Sequence, residues 1–129
     1  MVGLVVVLAA TLTSCGGGGS SYGGGGNGGG VAAPGTLALT SPVDMATGIS
    51  TTPVLTWTQA TGATGYRVQV DTTGTFAGAL VINVLEGATT YSYTVLSTDN
   101  LVVGTRYYWR VIAENTYGQA TAGPRTFTP

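Results

Sequence analysis

Residues 101–115 read LVVGTRYYWRVIAEN and carry the clearest structural signal in the chain. From Tyr107 onward, residues suited to a core stand at every second position, as in a strand that has one face buried and the other outward. The positions predicted to face the core are Tyr107, Trp109, Val111 and Ala113. The positions predicted to face outward are Tyr108, Arg110, Ile112 and Glu114. The stretch therefore predicts a half-buried β-strand.

The rest of residues 37–129 repeats this pattern in shorter pieces. Stretches rich in Val, Thr and Tyr alternate with turns of Gly, Asn, Asp and Pro, which is typical of an all-β sandwich. We predict seven strands, near residues 37–40, 54–58, 66–71, 80–85, 90–95, 106–114 and 124–128. Further inward positions are predicted at Leu55, Trp57, Tyr66, Val68, Val70, Tyr91, Tyr93 and Val95. Because each aromatic side chain buries roughly 150–250 Å², this set can hold one domain without a disulfide.

Three segments of this body resemble bacterial fibronectin type III domains. They are Leu55–Trp57, Gly65–Val70 and the quoted stretch 101–115, with Phe127 in the closing strand. The resemblance implies a seven-stranded immunoglobulin-like sandwich over residues 37–129, with Trp57 in its core. It also implies a tyrosine corner at Tyr107, six residues after Leu101, in which nearby backbone accepts a hydrogen bond from the tyrosine hydroxyl.

The composition argues against catalysis and against nucleic-acid binding. The chain has no histidine, which excludes Ser-His-Asp and Cys-His nucleophile systems and zinc sites of the Cys and His type. Four arginines against five carboxylates are too few and too balanced to bind a phosphate backbone. The carboxylates Asp71, Glu86, Asp99 and Glu114 lie on separate predicted strands and loops. We therefore expect no enzyme activity, no cofactor, no metal and no nucleic-acid partner.

The N-terminal segment is predicted to be a lipoprotein signal peptide over residues 1–14. Val2–Leu12 is uncharged and mostly apolar, and it is shorter than the ~20 residues that a membrane-spanning helix needs. The sequence Leu-Thr-Ser-Cys at residues 12–15 resembles the lipobox of bacterial lipoproteins. The resemblance implies cleavage before Cys15 and a diacylglycerol on its sulfur. The alternatives are an incidental thiol in a signal cleaved elsewhere, or a short anchor.

Cys15 is therefore the predicted lipidation site and membrane lipid the predicted partner at that position. Two or more acyl chains hold a protein stably on a membrane, whereas one chain binds only marginally. Gly16 directly follows Cys15. In the lipoproteins that this segment resembles, an aspartate at that position is associated with retention in the inner membrane. We expect a lipid-anchored protein of the bacterial cell envelope, at the outer membrane.

A glycine tract separates this cysteine from the body. Residues 16–30 read GGGGSSYGGGGNGGG. Glycine loses the most backbone freedom on folding, and this tract has little to bury in return, so we predict a disordered tether. A flexible coil of about twenty residues has a mean reach of ~25 Å. Residues 15–36 are thus predicted to form a lipidated cysteine and a linker.

Four residues are candidate ligand contacts. If the strands of residues 66–71 and 106–114 pair, Arg67, Tyr108 and Arg110 share an outward face that suits a sugar ring or an acidic partner. Tyr117 lies in the turn that follows and is a candidate exposed contact. The alternative is a solvated face on which Glu114 and Asp71 balance the two arginines.

Two functional hypotheses follow. The first is a membrane-anchored, non-catalytic surface lipoprotein whose fibronectin type III domain is a protein- or glycan-binding, adhesion or spacer module. Its partner would be a cell-envelope protein or polysaccharide. The second is an accessory domain or fragment of a larger secreted polysaccharide-degrading enzyme.

Overall fold

The structure is a computed structural model, and it describes residues 32–129. The predicted signal peptide, Cys15 and the glycine tract of residues 16–30 lie outside the described residues. Within residues 32–129 the chain forms eight strands and a 3-10 turn at Ser97–Asp99. The strands are β1 (Leu39–Ser41), β2 (Ala46–Thr47), β3 (Val54–Trp57), β4 (Gly65–Asp71), β5 (Ile82–Gly87), β6 (Ser92–Thr94), β7 (Tyr107–Asn115) and β8 (Gly118–Thr128).

The strands form two sheets, which confirms the all-β fold class. One sheet has the order β1-β3-β6, and the other has the order β2-β8-β7-β4-β5. Neighbouring strands pair antiparallel, except that β2 runs parallel to β8. The predicted number of seven strands is corrected to eight for the described residues. The additional strand is β2, whose two residues are too few to show an alternating pattern.

The last strand is also longer than predicted, because it begins at Gly118 instead of Pro124. Gly and Pro at residues 123 and 124 suggest a turn, but in the structure they lie inside β8 at a shift in its register with β7. Gly123 has φ +108, and a Cβ there would lie 3.0 Å from the Trp109 carbonyl oxygen. Glycine is therefore required at this position, since it lets the β8 backbone pass close to β7.

The core follows the predicted alternation. On β7 the four predicted inward residues are at most 3% exposed, and those of β3 and β4 are equally buried. The rings of Trp57 and Tyr66 lie 5.8 Å apart, and those of Tyr107 and Phe127 lie 5.7 Å apart. Such pairs add about 0.5–1.5 kcal/mol to the burial of their surface. Tyr91 and Tyr93 are partly buried and pack against the edge of this core.

The tyrosine corner forms, with one correction to the predicted hydrogen bond. The Val102 N–H donates to the Tyr107 hydroxyl oxygen at 2.9 Å, so this bond makes the hydroxyl an acceptor. Leu101 is buried beside it. The bond ties the connection between β6 and β7 to the first residue of β7.

The same connection contains a turn at Asp99 and Asn100. Asp99 Oδ2 accepts hydrogen bonds from the Leu96 N–H at 2.8 Å and from the Tyr93 hydroxyl at 3.2 Å. Partial burial of Tyr93 is the largest cause that raises the pKa of its hydroxyl, and the negative charge of Asp99 is the second. Asn100 ends the turn in the left-handed conformation, with φ +58. The carboxylate of Asp99 therefore has a structural role.

We expect Tyr107→Phe to lower the free energy of unfolding by about 1–2 kcal/mol, because the Val102 N–H loses its partner. Urea denaturation followed by tryptophan fluorescence measures this change. Tyr117→Phe is the matched control at an exposed tyrosine and should change the value by less than about 0.5 kcal/mol. Equal effects of the two substitutions would contradict the role of the corner.

Candidate functional site

The pairing of β4 with β7 brings three of the four candidate residues together. Arg67 lies opposite Ile112, Gln69 opposite Arg110, and Tyr108 opposite Asp71. Residues that lie directly opposite each other in an antiparallel pair share a face of the sheet. Arg67, Tyr108 and Arg110 therefore lie together on the outer face, which consists of the outward residues of β4 and β7.

The two arginines of the outer face differ in how their charge is balanced. Arg67 Nε lies 3.2 Å from Glu114 Oε2, with both side chains about one-third exposed or less, and this is the ion pair found within residues 32–129. An exposed pair of this kind contributes about 0–1 kcal/mol to stability. Asp71 forms no ion pair with either arginine of this face. The Asp71 oxygens instead accept hydrogen bonds from the Thr72 N–H and the Thr73 hydroxyl, both at 2.8 Å.

Two contacts orient the Arg110 guanidinium. Its Nε donates to Gln69 Oε1 at 2.8 Å, and its Cζ lies 4.3 Å from the centre of the Phe76 ring. Gln69 is nearly buried and is itself held by a hydrogen bond of 3.4 Å to Asn83 Oδ1. A guanidinium bound through Nε and stacked on a ring has few remaining orientations. These two contacts therefore hold the Arg110 side chain in place.

The connection between β4 and β5 folds over part of the outer face, which the sequence does not predict. Phe76 in this connection is 9% exposed and has φ +55, a left-handed conformation that costs a bulky residue about 1–3 kcal/mol. Gly74 packs against the ring of Tyr108, since a Cβ there would lie 3.4 Å from the ring carbons. Ile112 and Asp71 are buried as well. The connection between β4 and β5 thus covers part of the face that was predicted to be solvated, and Gly74 occupies one side of the Tyr108 ring.

Phe76 is the contact of this site that sequence reasoning missed. A lone aromatic residue between Gly74 and Gly78 was the available signal, because an apolar side chain in a turn segment needs a surface to pack against. The alternation of side chains along the strands does not predict which surface the Phe76 side chain covers.

Tyr117 does not join the other candidates. It lies in the turn between β7 and β8 and is 58% exposed. Tyr108 lies near the opposite end of β7 from Asn115. At a rise of roughly 3.3 Å per residue, Tyr108 and Asn115 are about 23 Å apart along the strand. A single small ligand does not contact both tyrosines.

Asn115 joins the turn to two other segments at this end of the sandwich. Its Oδ1 accepts hydrogen bonds from the N–H groups of Tyr117 and Gly118, at 2.7 and 3.1 Å. Its Nδ2 donates to the Ala32 and Gly62 carbonyl oxygens, at 2.8 and 2.9 Å. The first described residues, which the sequence places in the predicted linker, therefore contact the body here.

A cleft of about 440 Å³ lies at the connection between β1 and β3. Its walls are mainly apolar, and its lining residues are Ser41, Pro42, Val43, Ala46, Ile49, Ser50, Pro53 and Val54.

Within residues 32–129, no three His, Cys, Asp or Glu side chains are close enough to hold a metal ion. No helix of this part of the chain is long and apolar enough to cross a membrane.

Comparisons with known proteins give structural neighbours only. No protein-family model matches the chain, and no curated protein matches it. A Fn3-like protein from Clostridium thermocellum is similar in structure, with 24% identity and a TM-score of 0.47 over 75% of this chain and 91% of the other. A structure described as FN3tt mut has 18% identity and a TM-score of 0.48, over 75% of this chain and 94% of the other. Both of these neighbours are Fn3-like by description.

We expect Asn115→Ala to destabilise the domain by about 1–3 kcal/mol, because four hydrogen bonds are lost at once. Amide hydrogen exchange at Tyr117 and Gly118 should become faster in the same variant. Asn83→Ala is the control, since Asn83 is exposed and makes one long hydrogen bond. If exchange at the turn is unchanged in Asn115→Ala, the side chain does not hold the turn.

Proposed function

We propose that this chain is a membrane-anchored, non-catalytic surface lipoprotein whose body is a fibronectin type III domain that acts as a binding module. Its partner is a polysaccharide or protein of the bacterial cell envelope. The observation that carries the proposal is the point at which the chain enters the sandwich. Ala32 is bound at the Asn115 end of β7. Tyr108 therefore lies about 23 Å along β7 from the end at which Ala32 is bound.

The anchor itself is supported by sequence. Leu-Thr-Ser-Cys at residues 12–15 provides a thiol behind small residues, and the glycine tract of residues 16–30 follows directly. A tether with a mean reach of ~25 Å clears the lipid headgroups. Gly16 in place of aspartate favours the outer membrane.

The non-catalytic part of the proposal is supported by the contacts that four carboxylates of the described body make. Asp71 and Asp99 accept hydrogen bonds from neighbouring loops, and Glu114 pairs with Arg67. Asp44 Oδ1 accepts a hydrogen bond from the Thr126 N–H at 2.8 Å. Carboxylates that serve structure in this way are poor candidates for a general acid and base pair, which needs two carboxyl groups facing each other across a cleft. The strand order and the Tyr107 corner support the family assignment.

Labelled palmitate, fed to bacterial cells that express the full chain, tests the anchor. We expect label in the wild type and only background label in Cys15→Ser, because the thioether to diacylglycerol requires the sulfur. Ser14→Ala is the matched control, since it keeps a small residue before the cysteine and should keep the label. Equal label in the wild type and Cys15→Ser would refute the lipoprotein assignment. Separation of the inner and outer membranes then tests the predicted location.

A further inference from the structure

We infer that Arg110 is the central contact of a site for a carboxylate-bearing polysaccharide, in which isolated uronate units interrupt an otherwise neutral chain. The inference rests on the proposed function, since it takes the outer face as the binding surface and names its ligand class. Three properties of the described residues support it: an arginine charge without a carboxylate partner, a fixed orientation, and uncharged hydrogen-bonding groups on the same face.

The charge of Arg110 has no carboxylate partner within residues 32–129. The ion pair found there belongs to Arg67 and Glu114, and Asp71 is satisfied by Thr72 and Thr73. Arg110 is half-buried in this environment. A cation that is partly removed from water without a counter-ion gains more from an arriving anion than an exposed, already paired one does.

The hydrogen bond of Arg110 engages one edge of its guanidinium, and the two terminal nitrogens have no hydrogen-bond partner in residues 32–129. A guanidinium has five N–H donors, and the one on Nε is engaged by Gln69. One face of the planar group is covered by the Phe76 ring. The two terminal nitrogens together match the two oxygens of a planar carboxylate. Because Gln69 and Phe76 already fix the group, little conformational entropy is lost on binding.

Uncharged hydrogen-bonding groups lie on the outer face beside the charged Arg67, Glu114 and Asp71. Register places Thr121 opposite Ile112, Thr126 opposite Tyr108, and Asn83 opposite Gln69, all on the outer face. Amides and hydroxyls of this kind suit the hydroxyl groups of neutral sugars. With a net charge of -1, the chain has no long-range attraction for a polyanion. A neutral chain with sparse carboxylates therefore fits the face better than a uniformly acidic polymer.

An acidic peptide fits this location less well. Extended peptides add to the free edge of a sheet, where their backbone completes the ladder of hydrogen bonds. Arg110 lies instead on β7, which is paired on one side with β4 and on the other with β8. A ligand that meets the middle of a sheet is recognised through side chains. The geometry therefore favours a polysaccharide lying across the face.

The test measures binding of the full chain, kept in detergent, to a xylose oligosaccharide that carries one glucuronate. The same oligosaccharide with its carboxyl group reduced to an alcohol is the matched ligand control. We expect the reduction to weaken binding at least tenfold. A peptide with one glutamate among glycine and serine residues is the third ligand, and we expect it to bind at least tenfold more weakly than the glucuronate form.

Variants locate the site. Arg110→Gln should lose at least tenfold in affinity for the glucuronate oligosaccharide, whereas Arg67→Gln should stay within twofold of the wild type. Arg110→Lys keeps the charge but not the paired nitrogens, and it should restore little of the loss. Unfolding midpoints of all three variants are measured alongside, so that a folding defect is not mistaken for a lost contact.

Four results would each overturn the inference. These are no binding by the wild type, equal binding of the reduced oligosaccharide, equal losses in Arg67→Gln and Arg110→Gln, and binding of the peptide as tight as that of the sugar. Palmitate labelling is independent of these measurements, and Cys15→Ser should bind the oligosaccharide as the wild type does. A failure of the anchor and a failure of the ligand site are therefore distinguishable.

Discussion

Strand β7 is paired along both of its edges. Which of its side chains face the core and which face outward constrains the rest of the domain. A shift of its register by one residue would exchange those faces, because side chains alternate along a strand. Trp109 would then leave the core, and Arg110 would enter it without a partner. Burial of an unpaired charge is expensive, so the core and the outer face are set by the same choice of register. The core residues and the candidate binding residues of β7 are therefore not independent.

Because charged side chains are few, the contacts of each one in the described body can be followed individually. The whole chain has nine charged side chains. Within the described body, several carboxylates bind backbone or hydroxyl groups of nearby turns, as Asp71 and Asp99 do. Arg67 has Glu114, while Arg110 has an amide and a ring. An amide and a ring orient a guanidinium without neutralising it, and that combination distinguishes Arg110 from its neighbour on the same face.

The connection between β4 and β5 shows how a loop can change the chemistry of a sheet. Its glycines mark turns in the sequence, but the segment also places Phe76 on Arg110 and Gly74 on Tyr108. Tyr108 thereby loses one side of its ring as a stacking surface, and Arg110 gains an aromatic contact that restricts its guanidinium. The face is consequently better suited to a carboxylate than to a sugar ring stacked on Tyr108.

The sequence by itself determined the all-β class, the inward positions of β3, β4 and β7, the outward positions of Arg67, Tyr108 and Arg110, and the turn that contains Tyr117. Alternation is a local property of an extended chain, so these features can be read from neighbouring residues. Only the tertiary structure decided that Arg110 binds Gln69 and Phe76 instead of Asp71, that β8 continues through Gly123, and that Asn115 binds Ala32. Those outcomes join residues far apart in the chain, and they depend on strand register and on the path of a loop, which no local period records.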